Sequence, residues 1–310
     1  MKNKPLLIAL ILGVLLPCMM LFILSRKNPN SDIDPTEQKD GAPKLRVLMT
    51  DGTVAEMPLE EYILGVVLGE MPASFEEEAL KAQAVVARTY TFRAKHHENA
   101  DVCTDHTCCQ AYCPPAEYTG PTSSIEKVRK AVEDTAGEIV TYQGQPIEAT
   151  YFSCSGGRTE DAVAVWGQAV PYLQAVDSPG EEKAANYLKT TSMTAGAFAH
   201  AFGGLSGLPS NWIGEITYTK GGGVDTINIG GTVYKGTQVR QILDLKSTAF
   251  VITVVGSSVT ITTKGSGHRV GMSQYGADAM AVSGSDYKAI LAHYYPGTKL
   301  QGIDNMGQLE

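Results

Sequence analysis

The run PLEEYILGVVLGEMP, Pro58–Pro72, narrows what this chain can become. Leu59, Tyr62, Ile63, Val66 and Val67 recur at the spacing of one helical face. Pro58 suits the first turn of a helix. Gly69 reads as a stop, and Pro72 drives Met71 out of the α region, so the helix must end near Glu70. A lone carboxylate therefore sits at a helix C-terminus beside an apolar face. The helix dipole and desolvation both disfavour its charge. A carboxyl kept protonated near neutral pH is what a general acid requires. A solvated glutamate at a frayed helix end fits the local pattern as well.

The rest of the chain from Lys44 reads as α+β, helices packed on mixed or antiparallel strands. KLRVLM and DGTVAEM alternate like a hairpin turned at Asp51-Gly52. Helices are expected at Pro58–Gly69, about Glu76–His96 and about Ser124–Thr135. Lys81, Val85, Arg88 and Phe92 share one face of the second. If that face borders a cleft, Lys81 and Arg88 point at substrate; otherwise it is a solvated face, which Phe92 argues against. Strands EIVTYQGQPI and EATYFSC follow. Residues 178–264 read as a β-rich subdomain with short helices near Ala195–Phe202 and Val239–Leu245, and a last helix covers about Ser285–His293.

At the N-terminus, Pro5–Leu24 is uncharged and long enough to span a bilayer, flanked by Lys2, Lys4, Arg26 and Lys27. It lacks the small residues of a signal-peptide cleavage site. The organisation expected is a membrane anchor over 1–26, a flexible tether over 27–43, one domain over 44–300 and a tail over 301–310. The net charge of −8 and the absence of basic runs beyond Lys27 argue against nucleic acid as a partner.

The cysteines are a second chemical signal. Cys103, Cys108, Cys109 and Cys113 crowd together with His97 and His106. In an oxidising compartment such a cluster suggests disulfides. Adjacent Cys108 and Cys109 pair poorly with each other, and soft thiolates with imidazole suit a tetrahedral zinc site. Zinc, disulfides and free thiols all remain open at this level. Cys154, between two serines, reads as a small buried residue with no base to activate it. The SCSGG turn, Ser153–Gly157, offers hydroxyls and close backbone approach. Tyr151 could stack on a ring or aim its hydroxyl, and Trp166 reads as structural. Glycines crowd again around His268, Ser273, Gln274 and Tyr275.

Three blocks carry a resemblance. GEMP (Gly69–Pro72) is followed by ALKAQAVVARTY (Ala79–Tyr90). ATYFSCSGGRTEDAVAVWGQAVPYLQAVDSP spans Ala149–Pro179, and GSGHRVGMSQYGADAMA spans Gly265–Ala281. In this order they resemble the SpoIID family (SpoIID/LytB) of sporulation and cell-wall proteins, from about Lys44 to Gly297. The resemblance implies a peptidoglycan lytic transglycosylase with Glu70 catalytic, acting on septal wall during engulfment. It also marks Lys81, Gln83, Arg88, Tyr151, Ser153, Ser155, His268, Ser273, Gln274 and Tyr275 as substrate-binding positions. Some clostridial members carry zinc in a similar segment, which maps a ligand set onto His97, Cys103, Cys108 and Cys109. A histidine is more usual at Cys108, so His106 or Cys113 could stand in. The family more often has glycine where Arg269 stands. The implied partners are glycan strands, a SpoIIP-like wall amidase and a SpoIIM-like membrane scaffold. The implied location is a single-pass membrane protein with its domain outside the cytoplasm.

The chemistry this implies needs one carboxylate. Ordinary glycosidases need two, and among the motif blocks only Glu160 and Asp177 stand as second candidates. A lytic transglycosylase passes one proton out and back through Glu70, leaving a 1,6-anhydro end on N-acetylmuramic acid. Two other readings are a non-catalytic glycan-binding scaffold and a zinc hydrolase. The latter expects an HExxH-like open ligand set, which is absent.

Overall fold

The turn read at Asp51-Gly52 forms: β1 (Lys44–Leu48) pairs antiparallel with β2 (Val54–Pro58). The structure is a computed structural model that describes residues 43–94 and 97–305. The expected anchor, nearly all of the tether and the last residues of the expected tail lie outside the described residues. Among the described residues, no helix is long and apolar enough to cross a membrane.

The protein is a mixed α+β fold of helices and several small sheets. Helix α1 (Leu59–Glu70) ends where Pro72 requires, with the Met71 N–H returning to the Val67 carbonyl. It is not amphipathic, however. Every residue from Tyr62 to Leu68 is buried, so only its two ends meet solvent. Gly69 lies inside the helix and is not its stop.

Helix α2 (Glu77–Arg93) runs through the centre. Its alanines let α1, α3 (Thr122–Asp134), β4 (Glu138–Tyr142), α7 (Gln274–Val282) and α8 (Tyr287–Tyr294) pack against it. Each fully buried Val, Ile or Leu in this core contributes about 1.5–3 kcal/mol. Helix α7 has no counterpart among the elements expected from sequence.

The parallel pairing of β3 (Val102–Cys103) with β1 sets Cys103 beside Leu48. β4 lies between β5 (Gln145–Pro146) and β16 (Lys299–Gly302). β6 (Tyr151–Phe152) pairs in parallel with β15 (Met272–Ser273), joining two motifs far apart in sequence. Short strands β7 (Gly157–Arg158) and β8 (Asp177–Ser178) flank α4 (Ala162–Trp166).

The β-rich stretch carries a core of its own, around Phe198, Trp212, Ile227, Ile229, Val239 and Ile261. It contains β9 (Leu188–Thr194), α5 (Ala195–Ala201), a meander of β10 (Ile213–Tyr218), β11 (Val224–Ile229) and β12 (Thr232–Lys235), then α6 (Gly236–Ile242), β13 (Phe250–Val255) and β14 (Ser258–Lys264). A buried ion pair joins it to the motif blocks. Arg269 Nη1 meets Glu160 Oε1 at 3.1 Å, and the same oxygen accepts from the Gly223 N–H at 2.9 Å. The guanidinium also donates to the carbonyls of Ser155, Arg158 and Gly221. These bonds hold Arg269 at φ +67, a conformation that favours glycine.

The expectation that Arg88 and Lys81 face a substrate is corrected by this packing. Arg88 is fully buried, and its Nε donates to Glu60 Oε1 at 3.0 Å and its Nη1 to the Glu138 carbonyl at 3.1 Å. Lys81 forms ion pairs with Glu78 at 2.9 Å, Asp134 at 3.2 Å and Glu77 at 3.3 Å. The face that carries them borders α1, α3 and β4. Arg88 is the buried member of its pair while Glu60 is 32% exposed, so removing the arginine leaves a partly solvated carboxylate and an unpaired Glu138 carbonyl, a loss of about 1–3 kcal/mol. Arg88→Met should therefore lower unfolding stability in urea by about that amount. An unchanged midpoint with lost function would return Arg88 to the site.

Candidate functional site

Two glycines one turn apart decide where Glu70 points. Gly65 and Gly69 lie on the same side of α1 and leave a groove along it. The segment 111–113 lies in this groove. A Cβ at Gly69 would fall 2.9 Å from the Tyr112 nitrogen, and one at Gly65 would fall 2.2 Å from the Tyr112 ring. Within the groove the Cys113 N–H donates to the Gly65 carbonyl at 2.9 Å. The Tyr112 ring stacks on Tyr62 at 5.6 Å. Where the groove ends, the Ala111 N–H donates to Glu70 Oε1 at 2.7 Å.

Glu70 opens into a cleft of about 680 Å³ whose walls come from three regions of the chain. Cys108–Ala111 form one side, Glu148–Ser153 another, and His268 with Gln274 complete it. The β6–β15 pairing sets the last two beside each other. Gly271 permits it at φ +84, since a Cβ there would strike the Thr150 carbonyl at 2.1 Å. Gln274 opens α7, and its Nε2 donates to the main-chain carbonyl of Glu70 at 3.1 Å. The Tyr151 hydroxyl stands beside the Glu70 carboxyl and donates to Gln110 Oε1 at 3.1 Å.

Burial raises the Glu70 pKa above the ordinary carboxylate range. The hydrogen bond from the Ala111 N–H, the adjacent polar side chains of Tyr151 and Gln274, and the nearby His106 pull it down without cancelling that effect. His268 is affected oppositely. Burial, and then Arg240, push it down to about 4, and its Nδ1 accepts the Val270 N–H at 3.1 Å. The imidazole is therefore neutral at physiological pH and cannot serve as a cationic acid.

Of the residues expected at the site, Glu70, Tyr151, Ser153, His268 and Gln274 share the cleft. Lys81, Gln83, Arg88, Ser155, Ser273 and Tyr275 do not line it. Gln83 is fully buried in α2. The Ser155 hydroxyl donates to Glu181 at 2.9 Å, and the buried Cys154 thiol donates to the same carboxylate at 3.1 Å. Ser273 caps α7 by accepting the Gly276 N–H at 3.2 Å. Tyr275 packs edge-on to Phe75 at 4.9 Å. Glu160 is buried against Arg269, and Asp177 pairs with Arg158. The sequence reading missed Glu148, Tyr90 and Gln110 in the cleft walls. Of these, Tyr90 closes the motif Ala79–Tyr90 and Gln110 follows the adjacent Cys108 and Cys109, while Glu148 carried no signal.

Beside the cleft, His97, Cys103, Cys108 and Cys109 bring their ligand atoms within 4.8 Å of one another, a set that could hold a metal ion. His97 Nε2 lies 3.6 Å from each of the Cys108 and Cys109 sulfurs. Ligands about 2.0–2.3 Å from a tetrahedral zinc stand about 3.5–3.8 Å apart, so these two separations match such a site. Burial pushes the Cys109 thiol up to about 12, and the Cys103 N–H, donating to its sulfur at 3.4 Å, opposes that shift. His106 and Cys113, the alternatives from sequence, are not in the set. Among the described residues the cysteines are free of disulfides.

A family model described as SpoIID, stage II sporulation protein, matches residues 50–142, the span that holds Glu70 and the whole His/Cys cluster. Stage II sporulation protein D of Bacillus subtilis (strain 168) is 42% identical over 265 residues, covering 81% of this chain and 77% of that protein. Its counterpart in Bacillus amyloliquefaciens is 40% identical over 266 residues, covering 82% and 77%. The amidase enhancer of Bacillus subtilis (strain 168) is 32% identical over 291 residues, 76% of this chain and 40% of that longer protein. With such similarity along most of both chains, the protein belongs to the SpoIID family of sporulation proteins.

Proposed function

We propose that this chain is a membrane-anchored peptidoglycan lytic transglycosylase acting on septal wall outside the cytoplasm during sporulation. The observation that carries the reading is the Glu70 carboxyl. It is desolvated, raised in pKa and opens into a cleft lined by Gln110, Tyr151, Ser153 and Gln274, with Glu148 as the other carboxyl. Protonated Glu70 donates to the oxygen linking N-acetylmuramic acid to N-acetylglucosamine as the C1–O bond breaks. The C6 hydroxyl of the same muramic residue then attacks C1 and yields its proton to the Glu70 carboxylate. The product carries a 1,6-anhydro ring, no water is consumed, and the acid is regenerated. Gln274 holds the Glu70 main-chain carbonyl and the Ala111 N–H holds its carboxyl. Ser153 and neutral His268 offer hydrogen bonds to sugar hydroxyls and acetamido groups.

The His97, Cys103, Cys108 and Cys109 set would hold zinc. Four protein ligands close the coordination sphere, so bound zinc would supply a cross-link to the loop carrying Ala111 and leave no position for substrate. The relative named amidase enhancer supports a wall amidase as partner, with a membrane scaffold as the second. Glu148 in the cleft keeps a second reading, a two-carboxylate glycosidase. That enzyme would leave ordinary reducing ends in place of anhydro ends.

Mass spectrometry of products from purified glycan strands separates these readings. The wild type should release anhydro-muramic ends, and Glu70→Gln should lose about 10²–10⁴-fold in rate while still folding. Anhydro products from the variant at the wild-type rate would reject Glu70 as the acid.

Stability should carry the same signature. A raised folded pKa means that the stabilisation of protonated Glu70 is present below the ordinary carboxylate range and is lost as pH rises through the folded value. Glu70→Gln should thus match the wild type at low pH and exceed it near pH 7. The gap should be about 1.4 kcal/mol for each unit of pKa elevation. A variant that is less stable near pH 7 than at pH 4, relative to wild type, would contradict desolvation as the dominant effect.

Metal analysis should find about one zinc per chain. Stripping it should lower Tm by roughly 5 °C or more, since about 2–4 °C corresponds to 1 kcal/mol in a domain of this size. Metal-free protein with paired cysteines would remove the site.

A further inference from the structure

Trp166 was expected to be structural, but the indole is 44% exposed. Tryptophan is highly buried on average, so its exposure needs a reason when it is continuous with a cleft. Here the continuity is direct. The Phe152 and His268 rings lie 5.5 Å apart, and both line the cleft that holds Glu70. The Trp166 ring lies 5.4 Å from the His268 ring, so His268 links the exposed indole to the cleft wall. The chain's other tryptophan, Trp212, is buried in the second core, stacked on Phe198.

The indole is also held in place. At the start of α4 the Ala162 N–H donates to the Leu173 carbonyl at 3.0 Å, and Asp161 accepts the Ala175 N–H at 2.7 Å. At its end Gly167 stops the helix at φ +79, with its N–H on the Val163 carbonyl at 3.0 Å. Val163, one turn back on the same side, is 49% exposed. A fixed aromatic face with an aliphatic neighbour and no charge of its own suits a flat, neutral, partly apolar ligand.

We infer that Trp166 is a stacking platform for a pyranose ring of the glycan strand, one or more sugars away from the bond cleaved at Glu70. This rests on the proposed function and gives it a second subsite. A pyranose presents C–H groups on its faces and hydroxyls at its rim. The indole covers the face by dispersion and apolar burial while the rim stays in water. A remote platform of this kind selects for strand length, because a fragment too short to reach it loses the contact.

The test uses the full chain carrying Glu70→Gln, so that strands bind without being cut. Peptide-free glycan strands are titrated by calorimetry against this protein and against the same protein with Trp166→Ala or Trp166→Phe. Adding Trp212→Phe makes Trp166 the sole tryptophan emitter, and its fluorescence reports contact directly. The expected result is a saturable change in Trp166 emission, a roughly tenfold weaker Kd for Trp166→Ala, and recovery of most of that affinity by Trp166→Phe. Saturable binding with the same Kd for Trp166→Ala would overturn the platform and leave the proposed function standing. If no binding is seen to Glu70→Gln or to wild type, the glycan reading itself falls and the platform with it. The calorimetric comparison does not depend on the Trp212 substitution, so it stands even if that variant folds poorly.

Discussion

A single main-chain hydrogen bond ties the reactive carboxyl to a loop distant from it in sequence. The Ala111 N–H meets Glu70 Oε1 at 2.7 Å, and no side chain at Gly65 or Gly69 would leave room for that approach. Hydrogen bonds to charged or strongly polar groups are worth about 1.5–3 kcal/mol, but this one matters more for where it points the carboxyl. The same loop is fastened at both ends. Tyr62 on α1 donates to the Cys103 carbonyl at 3.1 Å, and the Gly65 carbonyl accepts from Cys113 at 2.9 Å. Cys103 at the first point, and Cys108 and Cys109 between the two, belong to the ligand set. An ion held there would lock the loop, and through Ala111 it would lock the acid.

The opposite wall depends on a different device. β6 and β15 are only two residues each, yet their parallel pairing brings Ser153 and Gln274 to Glu70 from distant parts of the chain. Short strands pair weakly alone. Here the Arg269–Glu160 pair braces them, reaching from the glycine-rich motif into the β-rich stretch. That gives the second core a role at the site without contributing a cleft residue of its own. It also gives a physical reason why an arginine can occupy a left-handed position: its guanidinium has four anchored contacts that a glycine would lack.

Local rules made much of this legible. Pro72 fixed the helix end at Glu70 and Asp51-Gly52 fixed the hairpin, while the crowded cysteines and histidines left metal and disulfide open until the family resemblance pointed to His97, Cys103, Cys108 and Cys109, a set that does converge. Failures came where a periodic face had to be matched to a partner. Lys81, Val85, Arg88 and Phe92 do share a face, but periodicity does not say that α1, α3 and β4 cover it. Gly69 reads locally as a helix stop, whereas the contact that demands glycine comes from a residue more than forty positions away. Glu148 and Trp166 carried no local sign of the cleft, because their positions follow from how strands and loops assemble. Glu70 was legible because its helix end, apolar neighbours and charge cost are all written within a few residues.

The central claim is that burial outweighs the Ala111 hydrogen bond and the other neighbouring groups and raises the Glu70 pKa above its ordinary value. Direct titration of its carboxyl is the decisive measurement, by carbon-detected NMR or by infrared difference spectra of the wild type against Glu70→Gln. The account predicts a carboxyl that titrates above the ordinary carboxylate range. A carboxyl that titrates at or below that range would mean the hydrogen bonds dominate, and that Glu70 enters the reaction as a base with no proton to give.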